Sequence, residues 1–88
     1  MIFRLDVEVG MGRFGEKLRF LRHQRGMTLR ELADALGFRS HGFVGDLESG
    51  RKHPSLDLAV RIADFFGVPL DRLARDDLDL DDAVADTE

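Results

Sequence analysis

The sequence predicts an all-α domain: a bundle of five short helices, led by one β-strand and trailed by an acidic tail. Three observations carry this. Apolar residues recur at three- and four-residue spacing from about residue 13 to residue 74, the period of helices with one buried face. Gly26, Gly37, Gly50, Gly67 and Pro69 punctuate that pattern where helices would end or begin. Only residues 3 to 9 alternate with period two, as a half-buried strand does.

The elements follow in order. Phe3, Leu5, Val7 and Val9 share one face of the strand, opposite Arg4, Asp6 and Glu8. Gly10, Gly12 and Gly15 then read as a flexible joint before the first helix, expected from about Arg13 to Arg25 with Phe14, Leu18 and Leu21 inward. Gly26 closes it. Thr28 and Glu31 have the spacing of a capping box, and Leu29, Leu32, Ala33 and Leu36 follow at helical intervals up to Gly37. A third helix, about 41–49, carries Phe43, Val44 and Leu47 to Gly50. After the basic turn "RKHPS", Ser55 caps a fourth helix whose inner face holds Leu58, Ile62 and Phe65. Gly67 ends that helix, and Pro69 suits the first turn of a fifth, "PLDRLA".

Composition bounds what such a chain does. Its 88 residues hold one small domain, not two, and 43% apolar content argues against wholesale disorder. No run of about eighteen apolar residues is present to span a membrane. Arg4, Asp6 and Glu8 interrupt what a secretory signal would keep apolar. With no cysteine, disulfides, thiolate catalysis and cysteine-ligated zinc are excluded, and a cytoplasmic location is expected. The net charge of −4 hides an asymmetry. Residues 76–88 hold seven acids and no Lys or Arg, while the preceding 75 hold 13 basic and 10 acidic residues. The expected organisation is 1–12, strand and glycine-rich joint; 13–75, helical domain; and 76–88, acidic and disordered tail. The basic body can face phosphates, and the tail cannot.

Several motifs dissolve on inspection. "GMGRFG" sits between strand and helix as a dinucleotide fingerprint does. That fingerprint needs a second parallel strand, and here the following residues read as helix again. Asp34, at about the spacing of the ribose-binding acid, falls mid-helix. His23, His41 and His53 lack the paired spacing of metal ligands. Asp77, Asp79, Asp81 and Glu88 imitate a calcium loop, but Asp82 stands where glycine is required. No nucleophile has a paired base, so neither enzyme activity nor a cofactor or metal is expected.

Two short helices joined by "GFRS" make a helix-turn-helix candidate. Across "LRFLRHQRGMTLRELADALG" and "LESGRKHPSLDLAVRIADFFGVPLDRL" the chain resembles the phage repressor/Cro-type, or XRE, helix-turn-helix family. The resemblance runs from about Phe14 to Leu73. It implies a five-helix repressor-like bundle whose third helix enters the major groove of double-stranded DNA. It further implies a transcriptional regulator that binds a palindromic operator as a homodimer. It also implies a structural ion pair between Arg22 and Glu48, fixing the third helix at a set angle.

The chain departs from that family at two places. Leu29 stands where members commonly carry a glutamine that bonds a phosphate and braces the reading helix. The turn "GFRSHGF" is one residue longer than usual, so the register at the start of that helix stays open by one. The base-reading candidates are Arg39, His41, Gly42, Gly45 and Asp46. Asp46 repels phosphate unless it accepts from a cytosine amino group. The glycines either let the backbone approach the groove or mark lost DNA affinity. The phosphate candidates are Arg13 and Lys17 on the first helix, Thr28 and Arg30 at the start of the second, and Ser40, Arg51, Lys52 and His53 around the third.

The lone strand leaves backbone donors and acceptors unpaired and exposes Phe3, Leu5, Val7 and Val9. Pairing with the same strand of a second copy would make a homodimer. Addition to another protein's sheet is the alternative, which would make the chain an antitoxin-like or adaptor module with a protein partner. The tail either solubilises, shields the basic face, or meets a basic partner.

Overall fold

A computed structural model of the chain describes residues 12–80. The expected strand, with Phe3, Leu5, Val7 and Val9, lies outside the described residues, as do residues 81–88. Five helices stand among the described residues: α1 Phe14–Gln24, α2 Leu29–Leu36, α3 Gly42–Ser49, α4 Leu56–Phe66 and α5 Leu70–Ala74. None of them is long and apolar enough to cross a membrane.

Local chemistry sets the boundaries. Thr28 Oγ1 accepts from the Glu31 N–H at 3.0 Å, and Glu31 Oε1 accepts from the Thr28 N–H at 2.9 Å. This closed capping box satisfies two of the donors that every helix start leaves orphaned. At the other end of α2, Gly37 takes φ +82°. The Phe38 N–H then reaches the Ala33 carbonyl at 2.9 Å, and the Gly37 N–H the Asp34 carbonyl at 3.1 Å. That is a Schellman stop, which turns the chain sharply toward α3. Ser55 caps α4 through the Leu58 N–H. Pro69 precedes α5 as its N-cap rather than standing in its first turn.

The core gathers where the inner faces of these helices converge. Leu18, Leu32, Ala33, Val44, Ala59, Ile62 and Leu73 have no exposed surface. α1 packs on α3 and α5, α2 on α3, and α4 on α5. α3 is thereby sandwiched between α1 and α2 along its inner face, which leaves its other side to solvent.

Two expectations are corrected here. Gly15 is no joint residue; it is buried inside α1. A Cβ there would stand 2.6 Å from the Leu47 carbonyl oxygen and 2.8 Å from the Glu48 carbonyl carbon, so only glycine lets α1 and α3 meet this closely. The boundary at Arg75 also falls inside a packed segment. Asp76 accepts from the backbone N–H of Arg13 at 2.8 Å and of Gly12 at 3.2 Å, capping α1 from more than sixty residues away. Leu80 is buried against the core. The first acids of the tail are structural, because the α1 start has no side-chain cap of its own.

Candidate nucleic-acid interface

The position of α3 is determined by one buried ion pair. Arg22 Nε donates to Glu48 Oε2 at 2.6 Å and Arg22 Nη2 to Glu48 Oε1 at 3.0 Å, a bidentate contact joining α1 to the last turn of α3. Only 2% of the Glu48 side chain and 11% of the Arg22 side chain are exposed, so water screens the pair little. Arg22 Nη1 also donates to the Met27 carbonyl at 2.8 Å, tying in the chain just before α2. The hydrogen bonds to Glu48 hold the guanidinium pKa above its ordinary value.

α3 turns Val44, Leu47 and Glu48 inward. Its outer side presents His41, Gly42 and Ser49 as exposed residues, with Gly45 and Asp46 half-exposed beside them. The helix begins at Gly42 with His41 as N-cap, and no side chain, Ser40 included, caps it. With its side chains an α-helix is about 10–12 Å across, a thickness that the roughly 12 Å width of a B-DNA major groove admits.

Cationic and polar groups lie at both ends of this helix. At its N-terminal end Arg30 Nε donates to His41 Nδ1 at 3.3 Å, and His41 Nε2 meets Asp34 Oδ1 at 3.0 Å. Because arginine can only donate, the His41 proton sits on Nε2 and is given to Asp34. Both ring nitrogens are therefore occupied. Arg39 is exposed and makes no hydrogen bond or ion pair with the other described residues. Thr28 uses its oxygen as a cap acceptor but keeps its hydroxyl proton to donate.

At the C-terminal end the loop is built by its own hydrogen bonds. The Lys52 N–H reaches the Asp46 carbonyl at 3.1 Å, and the Arg51 N–H reaches Ser49 Oγ at 3.3 Å. Arg51 is exposed, with Nη1 3.7 Å from Asp46 Oδ1, close enough to offset that carboxylate. The Lys52 ammonium sits 5.7 Å from the Phe43 ring centroid. His53 is exposed beside it. A groove of about 230 Å³ runs between this loop and the first turn of α1, with Lys52 and His53 among its walls.

Arg13 and Lys17 are elsewhere. Lys17 is buried, and Nζ donates to the carbonyls of Arg72, Arg75 and Leu78 at 2.8, 2.6 and 2.7 Å. All three ammonium donors are spent, which removes it from the phosphate candidates. Burial, with the nearby Arg13 charge, lowers its pKa. Arg13 binds Glu16 through Nε, the Asp76 carbonyl through Nη1 and Asp79 through Nη2. It serves the C-terminal segment, and it too leaves the phosphate set.

The sequence profile of the Helix-turn-helix domain family matches residues 13–75. The chain belongs to that family. Relatives of this helix-turn-helix chain are named as transcriptional regulators. One is the SPbeta prophage-derived uncharacterized HTH-type transcriptional regulator YonR of Bacillus subtilis (strain 168), 32% identical over 78 residues, which cover 85% of this chain and 71% of YonR. Another is the cryptic phage CTXphi transcriptional repressor RstR of Vibrio cholerae, 32% identical over 63 residues, or 72% of this chain and 56% of RstR. Among solved structures, the S. venezulae BldD DNA-binding domain superposes with a TM-score of 0.62 at 31% identity, over 76% of this chain and 97% of that one. The chain thus spans about half the length of RstR and nearly all of the BldD domain.

Within the helix-turn-helix, sequence reasoning missed one residue. Arg19, 60% exposed in its side chain, places Nε 3.4 Å from Glu48 Oε1. Its signal was the three-residue spacing to Arg22, which stacks the two on one side of α1. Leu29 was read both as part of the apolar stripe of α2 and for the glutamine it replaces. It remains 38% exposed, and Cδ1 lies 3.9 Å from where a Cβ on Gly45 would stand.

Proposed function

We propose that this helix-turn-helix chain binds one double-stranded DNA sequence as a homodimer and regulates transcription there, with α3 in the major groove. The single observation that carries the reading is the Arg22–Glu48 pair. It holds α3 at a fixed angle, with an outer face exposed among the described residues and cations at both ends. Arg30 and Arg39 flank the N-terminal end as phosphate or base-edge contacts, and Arg51, Lys52 and His53 grip the backbone beyond the C-terminal end. The names carried by its relatives point the same way.

Residues 1–9 supply the dimer contact in this reading, and the operator is an inverted repeat with half-sites about 34 Å apart. Residues 13–80 form the DNA-binding unit. Selection of bound sequences from random duplex DNA tests the proposal: one inverted repeat is expected, with affinity falling steeply as salt rises. Sedimentation of a chain lacking residues 1–9 tests the dimer contact, with monomers expected. If no duplex is selected and a tight one-to-one protein complex forms instead, the chain is an interaction module.

A further inference from the structure

The polar side chains that line the outer face of α3 are largely consumed at home. His41 spends one ring nitrogen on Arg30 and the other on Asp34. Ser49 Oγ donates to the Asp46 carbonyl at 3.2 Å and accepts from the Arg51 N–H. The Asp46 carboxylate sits beside the Arg51 guanidinium. Gly42 and Gly45 add no side chain at all. A helix-turn-helix with this face has little hydrogen-bonding capacity left for base edges.

One apolar group stands in that space. Leu29, the first residue of α2, keeps 38% of its surface in water although it carries no polar atom. Its Cδ1 leans toward α3 at Gly45, and a Cβ at that position would be in van der Waals contact with it at 3.9 Å. A side chain at position 45 extended toward α2 would meet that methyl. An aliphatic end at this place can neither bond a phosphate nor recognise a donor or acceptor. The one apolar feature on a major-groove edge is the 5-methyl of thymine.

We propose that Leu29 is a specificity-determining residue that reads a thymine methyl in each half-site, with Gly45 leaving the room for it. The proposal rests on α3 occupying the major groove, and the test separates the two. The full chain is first used to select its preferred duplex, and each thymine is then replaced singly by deoxyuridine, which lacks only the methyl. One position per half-site should lose about four-fold in affinity, the worth of burying one such group. The same position should accept 5-methylcytosine better than cytosine. Leu29→Ala, checked for unchanged helicity, should bind with the same salt dependence yet treat thymine and deoxyuridine alike.

A duplex that tolerates deoxyuridine at every position overturns the proposal, as does a Leu29→Ala chain that still discriminates. In either case the salt-dependent binding of the parent chain would leave the DNA reading standing. If no duplex is bound by the parent chain at low salt, both fall together.

Discussion

Gly15 of α1 and Leu47 of α3 approach so closely that a Cβ on the glycine would lie 2.6 Å from the leucine carbonyl oxygen. The obstacle is backbone, with no flexible side chain to swing aside. Replacing glycine by alanine in a helix ordinarily gains up to about 1 kcal/mol. Here overpacking, at about 1–3 kcal/mol, outweighs that gain. Gly15→Ala is therefore expected to destabilise the domain by about 1–2 kcal/mol. In a domain of this size that lowers the midpoint of thermal unfolding by about 5–15 °C. An unchanged or higher midpoint would show that α1 and α3 do not meet through this glycine.

The Arg22–Glu48 pair predicts a different pattern. Removing Glu48 strands the Arg22 charge in a buried site, and removing Arg22 leaves Glu48 only the exposed Arg19 at 3.4 Å, a loss of up to about 3–5 kcal/mol. Small domains have only about 5–15 kcal/mol in hand. Glu48→Gln and Arg22→Met should each be strongly destabilised by urea titration. Combining Arg22→Met with Glu48→Leu should recover most of the loss, since an apolar pair of similar volume leaves no charge behind. A double variant as unstable as the sum of the singles would mean that the bond to the Met27 carbonyl, not the ion pair, matters most.

How far this could be read from the amino acids depends on how local each interaction is. Thr28 and Glu31 are three residues apart, and the box they close follows from spacing alone. The helix-ending role of Gly37 was equally legible, since a Schellman stop needs a residue that accepts positive φ. Arg22 and Glu48 lie 26 residues apart, and only the resemblance to a family brought them together. Lys17 was misread because a cation in a sequence carries no mark of burial, and Arg13, only part-covered, because its partners Asp76 and Asp79 lie more than sixty residues away. Periodicity put Phe14, Leu18 and Leu21 inside, yet Lys17 is buried with them to serve carbonyls more than fifty residues away. The deeper reason is the same for Asp76 and Gly15. Each acts on a backbone group more than thirty residues away, and at that range no spacing rule links a side chain to its partner.

The clasp formed by residues 76–80 gives a prediction about where the domain ends. Asp76 caps α1, Leu78 supplies a carbonyl to Lys17, and Leu80 is buried. A lost cap is worth about 1 kcal/mol and a buried leucine about 1.5–3 kcal/mol. A chain ending at Arg75 should therefore be less stable than one ending at Leu80 by about 2–4 kcal/mol, measured by urea unfolding. Asp76→Ala in the full chain should lose only the cap, about 1 kcal/mol. Equal stability of the two truncations would return the boundary to Arg75.

The exposed cations make the last prediction, and it depends on which of them are free. Each phosphate that a protein neutralises on B-DNA contributes about 0.9 to the slope of log affinity against log salt. Arg51 and Lys52 are exposed in the loop after α3, their charges met among the described residues only by a 3.7 Å approach of Arg51 to Asp46 and by the Phe43 ring 5.7 Å from the Lys52 ammonium. Arg51→Ala and Lys52→Ala, each removing one contact per subunit of the dimer, are expected to flatten that slope by about 1.8, weakening binding to all sequences alike. Arg13→Gln is the control, because Glu16, Asp76 and Asp79 already occupy its guanidinium. Its slope should match that of the parent chain even if its stability falls. Fluorescence anisotropy across a salt series separates these outcomes, since instability reduces the active fraction while leaving the slope in place. If Arg13→Gln flattens the slope as much as Lys52→Ala, the ion pairs at the start of α1 open on binding and the phosphate track runs along α1 as well.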